Sequence, residues 1–381
     1  MLWYDSETFS TVEIKHGTYK YCENCEVMLI PYALNDEDFR VWDRTLDPRM
    51  PDDLAYWLLD TEEPVYASNA MFDRNALRLG DMKLEIPIER WRCGMVRCLA
   101  HALPGGLDAQ CEVLNLPAEM RKKAEGKKHI QLFCKPHKTA KRYGRKLVPI
   151  GNGLYRATRD THPEEWAGFV EYAKYDGIAM REVSRRTPTW NYDPYARPDD
   201  THPGAQELHL WHLDQRINDR GFQVDLDLAH AAVRAVDRAK ERLADRTHEL
   251  TDGEVASATK RDQLLAHILK EHGVDLPDMQ GSTLERRLND PSLPRAVHEL
   301  LSIRLQASST STSKYTALLK GVSSDGRLRG TLQYDGAGRT RRHAGRTFQP
   351  QNLPSKGLPP YAEIEAGIEA MKGNYEDLVY A

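Results

Sequence analysis

Leu2-Trp3-Tyr4-Asp5-Ser6-Glu7-Thr8 runs an apolar strand directly into two acids at the start of the chain. Side chains two apart on an extended strand project to the same side, so Asp5 and Glu7 can reach one cavity. Two further acids occur in matching contexts. Asn69-Ala70-Met71-Phe72-Asp73 sets Asp73 just after a short apolar run, and Tyr172-Ala173-Lys174-Tyr175-Asp176 sets Tyr172 one helical turn before Asp176 on the same face. Singly, each fragment has an ordinary explanation: acids two apart on a strand usually face water, and a Tyr four before an Asp usually packs. Together, Asp5, Glu7, Asp73 and Asp176 supply four carboxylates. Two hard divalent cations, Mg2+ or Mn2+, prefer such oxygen ligands. Held roughly 3.5–4 Å apart, two ions stabilise the attacking and leaving oxygens of an in-line phosphoryl displacement.

The surrounding pattern predicts an α/β fold. Residues 2–4, 27–32, 40–42 and 65–67 read as strands. Pro51-Asp52-Asp53 opens a helix carrying Leu54, Trp57, Leu58 and Leu59, a second helix runs from the Asn69 motif through Leu79, and a third spans 164–183. A mixed sheet flanked by helices over residues 1–184 fits this alternation. The proline-rich, polar stretch that follows reads as a linker over 185–206. Residues 207–320 read as mainly helical: Asp225 and Asp227 can cap a helix in which Ala229, Ala232, Val236, Ala239 and Leu243 recur at three- and four-residue spacing, and 261–271 and 294–307 continue the pattern. In the last region, 321–381, polar and apolar residues alternate over 327–334, so one strand face offers Arg327, Arg329, Thr331 and Gln333. Gly336-Ala337-Gly338 can turn the chain, and a final helix carries scattered acids that read as a solvated face.

A chain of 381 residues suggests two or three domains. No apolar run is long enough to span a bilayer and no secretion signal opens the chain, which points to a cytoplasmic protein with six reduced cysteines. Cys22-x-x-Cys25 and Cys134-x-x-His137 have metal-pair spacing, but structural zinc needs four converging ligands. The overall balance of 53 basic to 57 acidic residues does not suggest nucleic acid, yet the distribution does. Eleven Lys or Arg against two Glu lie between 119 and 146, interleaved with His129, Phe133, His137 and Tyr143. That composition suits a solvated charge run or a path for a single-stranded backbone with rings for stacking. A second basic concentration, nine cations against Asp325 and Asp335, covers 301–350 and suits a duplex backbone.

The acidic set, in this order, resembles the three exonuclease motifs of proofreading nucleases in the RNase H-like superfamily: Asp-x-Glu, Asn-x-x-Phe-Asp and Tyr-x-x-x-Asp. The run from Gly338 to Pro354, Gly-Arg-Thr-Arg-Arg-His-Ala-Gly-Arg-Thr-Phe-Gln-Pro-Gln-Asn-Leu-Pro, resembles the first palm motif of family A DNA polymerases in its bacteriophage-type form. Trp211 to Phe222 resembles that family's entry into the thumb, and Ser311-Thr312-Ser313-Lys314-Tyr315 its thumb-to-palm junction. Where the family usually has a glycine between Thr340 and Arg342, this chain has Arg341.

This resemblance implies an RNase H-like (DnaQ-like) exonuclease domain at 1–184, a helical thumb at 207–320 and an incomplete palm at 321–381. It implies a 3′–5′ proofreading exodeoxyribonuclease in which Asp5, Glu7, Asp73 and Asp176 bind two divalent cations and Tyr172 orients or helps deprotonate the attacking water. Asn69, Lys314, Arg327, Arg329, Arg339, Arg342, Gln351 and Asn352 would contact the primer–template or the single-stranded 3′ end. The family's palm aspartate motif, fingers helix and later palm motif do not follow Pro354. The polymerase active site is therefore expected on a C-terminal segment or a second polypeptide. Two other readings compete: a stand-alone DNA or RNA 3′ exonuclease, and a non-catalytic DNA-binding scaffold of a split polymerase.

Overall fold

The computed structural model describes residues 1–120, 126–197, 199–308, 313–338, 340–349, 352–353 and 357–373. Packing divides the chain into two compact units. One comprises Met1–Gln223 with Gly321–Leu353, and the other comprises Val224–Lys320 with the described residues after 353. This partition follows contacts rather than motifs, so the start of the expected palm packs with the expected exonuclease region.

The first unit is built on a mixed sheet. Its elements begin with β1 (Leu2–Tyr4), β2 (Glu7–Ser10), α1 (Thr18–Cys22), β3 (Cys25–Leu34), β4 (Arg40–Asp43), α2 (Asp52–Leu59), β5 (Val65–Ala67), α3 (Ala70–Leu79) and β6 (Trp91–Cys93). The long strand β3 takes β1 and β2 antiparallel, Tyr4 opposite Tyr32 and Glu7 opposite Leu29, and pairs with β4 as well. Beyond β1 the sheet continues parallel through β5 and β6. The extended period sorts the faces. Leu2, Tyr4, Val65 and Ala67 enter a core with Leu54, Leu58 and Leu77, whereas Trp3, Tyr66 and Ala33 enter another with Phe39 and Met180.

The helices α4 (Gly94–Ala100), α5 (Leu107–Val113), α6 (Gly126–Phe133) and α7 (Pro163–Arg186) follow, with two small hairpins, β7 (Lys141–Arg142) with β8 (Arg145–Lys146) and β9 (Val148–Gly151) with β10 (Leu154–Arg156). The ends of α7 suit the helix dipole, with Pro163, Glu164 and Glu165 in its first turn and Arg185 and Arg186 in its last. Its inward stripe, Trp166, Phe169, Tyr172, Ala173 and Asp176, is buried.

The expected linker is not a free tether. Tyr192 is fully buried and its hydroxyl accepts from the Cys93 amide at 3.0 Å, while the buried Arg92 donates to the carbonyls of Pro194 and Ala196 at 2.7 and 3.0 Å. A buried guanidinium needs acceptors, and this segment supplies them.

From there α8 (Pro203–Arg220) leads to β11 (Phe222–Gln223), which pairs antiparallel with β12 (Arg327–Leu328). The strand expected over 327–334 is divided. Gly330, at φ +65°, breaks it into β12 and β13 (Leu332–Ala337), and β13 forms a hairpin with β14 (Arg342–Gly345). Asn218 of α8 holds β13 as a strand would: its side-chain amide donates to the Leu332 carbonyl, and its amide oxygen accepts from the Leu332 amide, both at 3.1 Å.

The second unit is helical: α9 (Leu226–Leu250), α10 (Arg261–His272), α11 (Gly281–Leu288), α12 (Arg295–Ala307), α13 (Ser313–Gly321) and α14 (Tyr361–Lys372). Asp225 caps α9 by accepting from the Leu228 amide at 2.9 Å. Leu264, Ile268, Leu284, Val297, Leu300 and Leu301 form its core. Among the described residues no helix is long and apolar enough to cross a membrane.

Candidate metal centre

Sheet parity decides how the acids meet. Asp5, Glu7 and Asp176 each offer a carboxylate oxygen within 4.8 Å of the others, forming a half-exposed to buried trio. Asp5 and Glu7 share the odd-numbered side of the strand edge with Trp3, whose core partner Met180 lies one turn beyond Asp176 on α7. Asp73 arrives from α3, and its carboxylate is met by the intervening even-numbered residue: Ser6 Oγ donates to Asp73 Oδ1 at 2.6 Å. The expected four-carboxylate convergence is thus three acids together and a fourth immediately behind Ser6.

Asp73 is 1% exposed. Burial, and then the charge of Asp5, push its carboxyl well above the usual range, against the hydrogen bonds it receives from Ser6. Like charges gathered in a buried place call for a cation. The all-oxygen donor set fits a hard divalent ion. Among the described residues no other such group of ligand side chains forms. In particular, Cys22, Cys25 and Cys134 are buried free thiols, and Nε2 of His137 is engaged by the Leu132 carbonyl at 2.8 Å.

Tyr172 hydrogen-bonds to Asp176 through its hydroxyl. Burial, reinforced by Asp176 and Glu7, holds the phenol far above its ordinary value, so it stays neutral and donates. Its ring is clamped by α6: a Cβ on Gly126 would fall 1.8 Å from Tyr172 Cε2, so only glycine fits there. The ring also stacks on Phe169 at 6.2 Å.

The helix carrying Asp73 is anchored at a distance. Arg74 and Arg78 donate to Asp219 Oδ1 of α8 at 2.7 and 2.6 Å, and the Tyr19 hydroxyl donates to it at 2.6 Å. Burial alone would raise the Asp219 carboxyl, but these donors pull it below its usual value. Ser6, Gly126 and Asp219 were not singled out by the sequence reading. The spacing of Ser6 between two acids was the only available signal, because the partners of the other two lie far along the chain.

A cavity of about 690 Å³ adjoins Glu7, lined by Thr8, Phe72, Cys134, Lys135, Lys138 and Leu154 among others. Two lysines of the first basic run therefore face it. Other members of that run have structural duties. Phe133 is fully buried and stacks on Phe169 at 5.4 Å, and Arg145 pairs with Glu165 at 2.8 Å, so neither is free as expected for a strand path. Tyr143 is exposed, while Arg121, Lys122 and Lys123 lie outside the described residues.

The remaining predicted contacts are distributed. Asn69 is exposed at the start of α3. Arg327 donates to the carbonyls of Arg220 and Gly221 at 2.7 and 3.1 Å. Arg329 donates to the Asp219 carbonyl at 2.7 Å and forks onto Asp325 at 2.8 and 2.7 Å. Arg342 is exposed on β14, and Asn352 donates to Gln349 at 2.7 Å. Lys314 sits on α13 of the second unit, and Arg339 and Gln351 lie outside the described residues. Arg341 takes the left-handed conformation, φ +54°, that a glycine adopts freely, and its guanidinium bridges Asp335 at 2.8 Å and Glu207.

No family model matches the chain. It is 29% identical over 378 residues, 98% of its length, to a DNA polymerase of Bacillus phage SP02, and spans 54% of that relative. Among solved structures it is similar to the POL domain of Pol1 from M. smegmatis, in complex with DNA primer-template and dNTP. The TM-score is 0.52 at 15% identity, covering 93% of this chain and 52% of that one. On both comparisons the chain resembles the N-terminal portion of a family A DNA polymerase.

Proposed function

We propose that the chain is the 3′–5′ proofreading exonuclease and primer–template-binding part of a family A DNA polymerase, with an RNase H-like nuclease domain. The observation that carries this reading is the convergence of Asp5, Glu7 and Asp176 beside a buried Asp73 that is held by Ser6. These four residues would hold two divalent cations, which supply charge neutralisation and an activated water at neutral pH. Asp176 accepts the Tyr172 hydroxyl hydrogen bond, and the neutral phenol orients rather than abstracts. Ser6 fixes the direction of the Asp73 carboxyl. The cavity beside Glu7 accepts the terminal nucleotide, with Lys135 and Lys138 neutralising its phosphate and Phe72 packing against it. Selectivity for mismatched ends follows from the lower cost of unpairing them. Arg342, and on exchange of their present bonds Arg327 and Arg329, would meet the duplex backbone. Synthesis would require palm and fingers elements from elsewhere in a longer chain or from a second polypeptide.

The test is degradation of a 5′-labelled primer, matched or mismatched at its 3′ end, with Mg2+ or Mn2+, by wild type and by Asp5→Ala/Glu7→Ala. Metal-dependent shortening that vanishes in the double variant supports the reading. Duplex binding without shortening would leave the chain a DNA-binding scaffold.

A further inference from the structure

The cavity beside Glu7 is one of two that share a wall. On the other side of Ile14 and Lys15, which line both, lies a second cavity of about 430 Å³. It joins two motifs that are far apart in sequence. Asn69 and Met71, from the segment carrying Asp73, form one side, while Gln333 and Arg346, from the stretch resembling the palm motif, form the other. Trp211 and Gln215 of α8 complete it.

We infer that this second cavity is a holding site for one nucleotide of an unpaired DNA strand, between the β13–β14 hairpin and the carboxylate trio. The inference rests on the function proposed above. Its volume lies in the range of nucleotide-sized sites. Its two cations are available. Among the described residues Lys15 is paired only with Glu13, at 2.7 Å, with both side chains about two-thirds exposed, a pairing that exchanges readily for a phosphate. Arg346 is exposed and has no acidic partner within 4 Å among the described residues, unlike Arg329 and Arg341. Two amide oxygens of the lining lack partners among the described residues. Gln215 is 1% exposed and its amide nitrogen donates to Asp214 Oδ2 at 3.0 Å, while among the described residues its amide oxygen accepts nothing and the buried Gln333 amide oxygen has no donor. Buried acceptors left unsatisfied cost about 1–3 kcal/mol each. The Watson–Crick edge of every base carries at least one N–H group, so a base entering here satisfies them once the amides turn towards it, without strong sequence preference. Because Lys15 reaches both cavities, one phosphate contact can be kept while the strand advances by a nucleotide.

The test has two arms. In the cleavage-dead Asp5→Ala/Glu7→Ala chain, binding of a fluorescein-labelled single-stranded tetradeoxynucleotide is followed by anisotropy. Lys15→Ala, on the surface, and Gln215→Leu, in the wall, each weaken binding at least about fivefold, while Lys260→Ala leaves it unchanged. Equal affinity in all four chains overturns the site. In the cleavage-competent chain, Gln215→Leu and Gln333→Leu slow excision from a mismatched primer–template about tenfold but not hydrolysis of a free single strand that is supplied at saturating concentration and enters beside Glu7 directly. Equal loss on both substrates would mean general damage and also overturns the proposal. Should wild type cut neither substrate, the exonuclease reading fails and the anisotropy arm still decides the cavity.

Discussion

Two charged regions of the first unit are put together on opposite principles. Around the trio, Asp5, Glu7 and Asp176 are gathered with Asp73 close behind, so that acid stands beside acid. In the β12–β14 region charges are matched: Arg329 forks onto Asp325, Arg341 bridges Asp335 and Glu207, and His343 lies 3.1 Å from the buried Asp214. Matched pairs hold a shape. Carboxylates brought within reach of one another in a half-buried place repel and cost stability, so their convergence points to chemistry. The second basic concentration therefore overstates the charge available to DNA, because Arg329 and Arg341 are already paired with acids within the protein.

The largest effect should follow from breaking the gathered acids. Asp176→Asn should lower metal-dependent excision by about three orders of magnitude, since several kcal/mol of metal stabilisation are lost at tenfold per 1.36 kcal/mol. Primer–template affinity, measured by anisotropy, should stay within about twofold. Next in size is Tyr172→Phe, expected to slow single-turnover excision about a hundredfold. Gly126→Ala should cost about tenfold by displacing the same ring, and should cost little more in the Tyr172→Phe background. Additive losses there would mean that Gly126 acts through the fold at large.

The matched region gives smaller effects. Asp214 is 2% exposed, and burial pushes its carboxyl up to about 6, although His343, Gln215 and Asn218 oppose the shift. The folded value lies above the unfolded one, so this group's contribution is fully present below about pH 4 and is lost as pH rises through about 6. Asp214→Asn should flatten that fall and raise stability at pH 7 by at most about 3 kcal/mol, read from urea midpoints across pH. The smallest effect tests Arg341. Arg341→Gly relieves the positive φ and removes an internal pair, so primer–template affinity should change less than about threefold. Arg342→Ala, removing an exposed cation, should weaken it about tenfold and reduce the salt slope by about one.

What the sequence made legible was local. The alternation around Trp3 and Tyr66 gave the strands, the four-residue spacing of Tyr172 and Asp176 gave their shared face, and Asp225 gave a helix start. What it hid was long-range. Which sheet face Asp73 approaches depends on how α3 packs. The partners of Asp219 stand 200, 145 and 141 residues away. The engagement of Arg327 and Arg329 depends on a chain reversal of more than a hundred residues. Residue type announces that a guanidinium can bind phosphate, but only packing tells whether a carbonyl or carboxylate has claimed it first.

The ladder between β11 and β12 has a consequence for engineering. Gln223 lies opposite Arg327, and Phe222 opposite Leu328, so the whole helical stretch between them leaves and returns at adjacent points of the first unit. A short turn joining these strands, with the residues after Leu353 also removed, should therefore give a minimal chain that folds independently. In that reduced protein, the proposed nuclease chemistry can be assayed apart from the helical unit, and different helical inserts can be grafted at the same seam to test that unit's part in binding DNA.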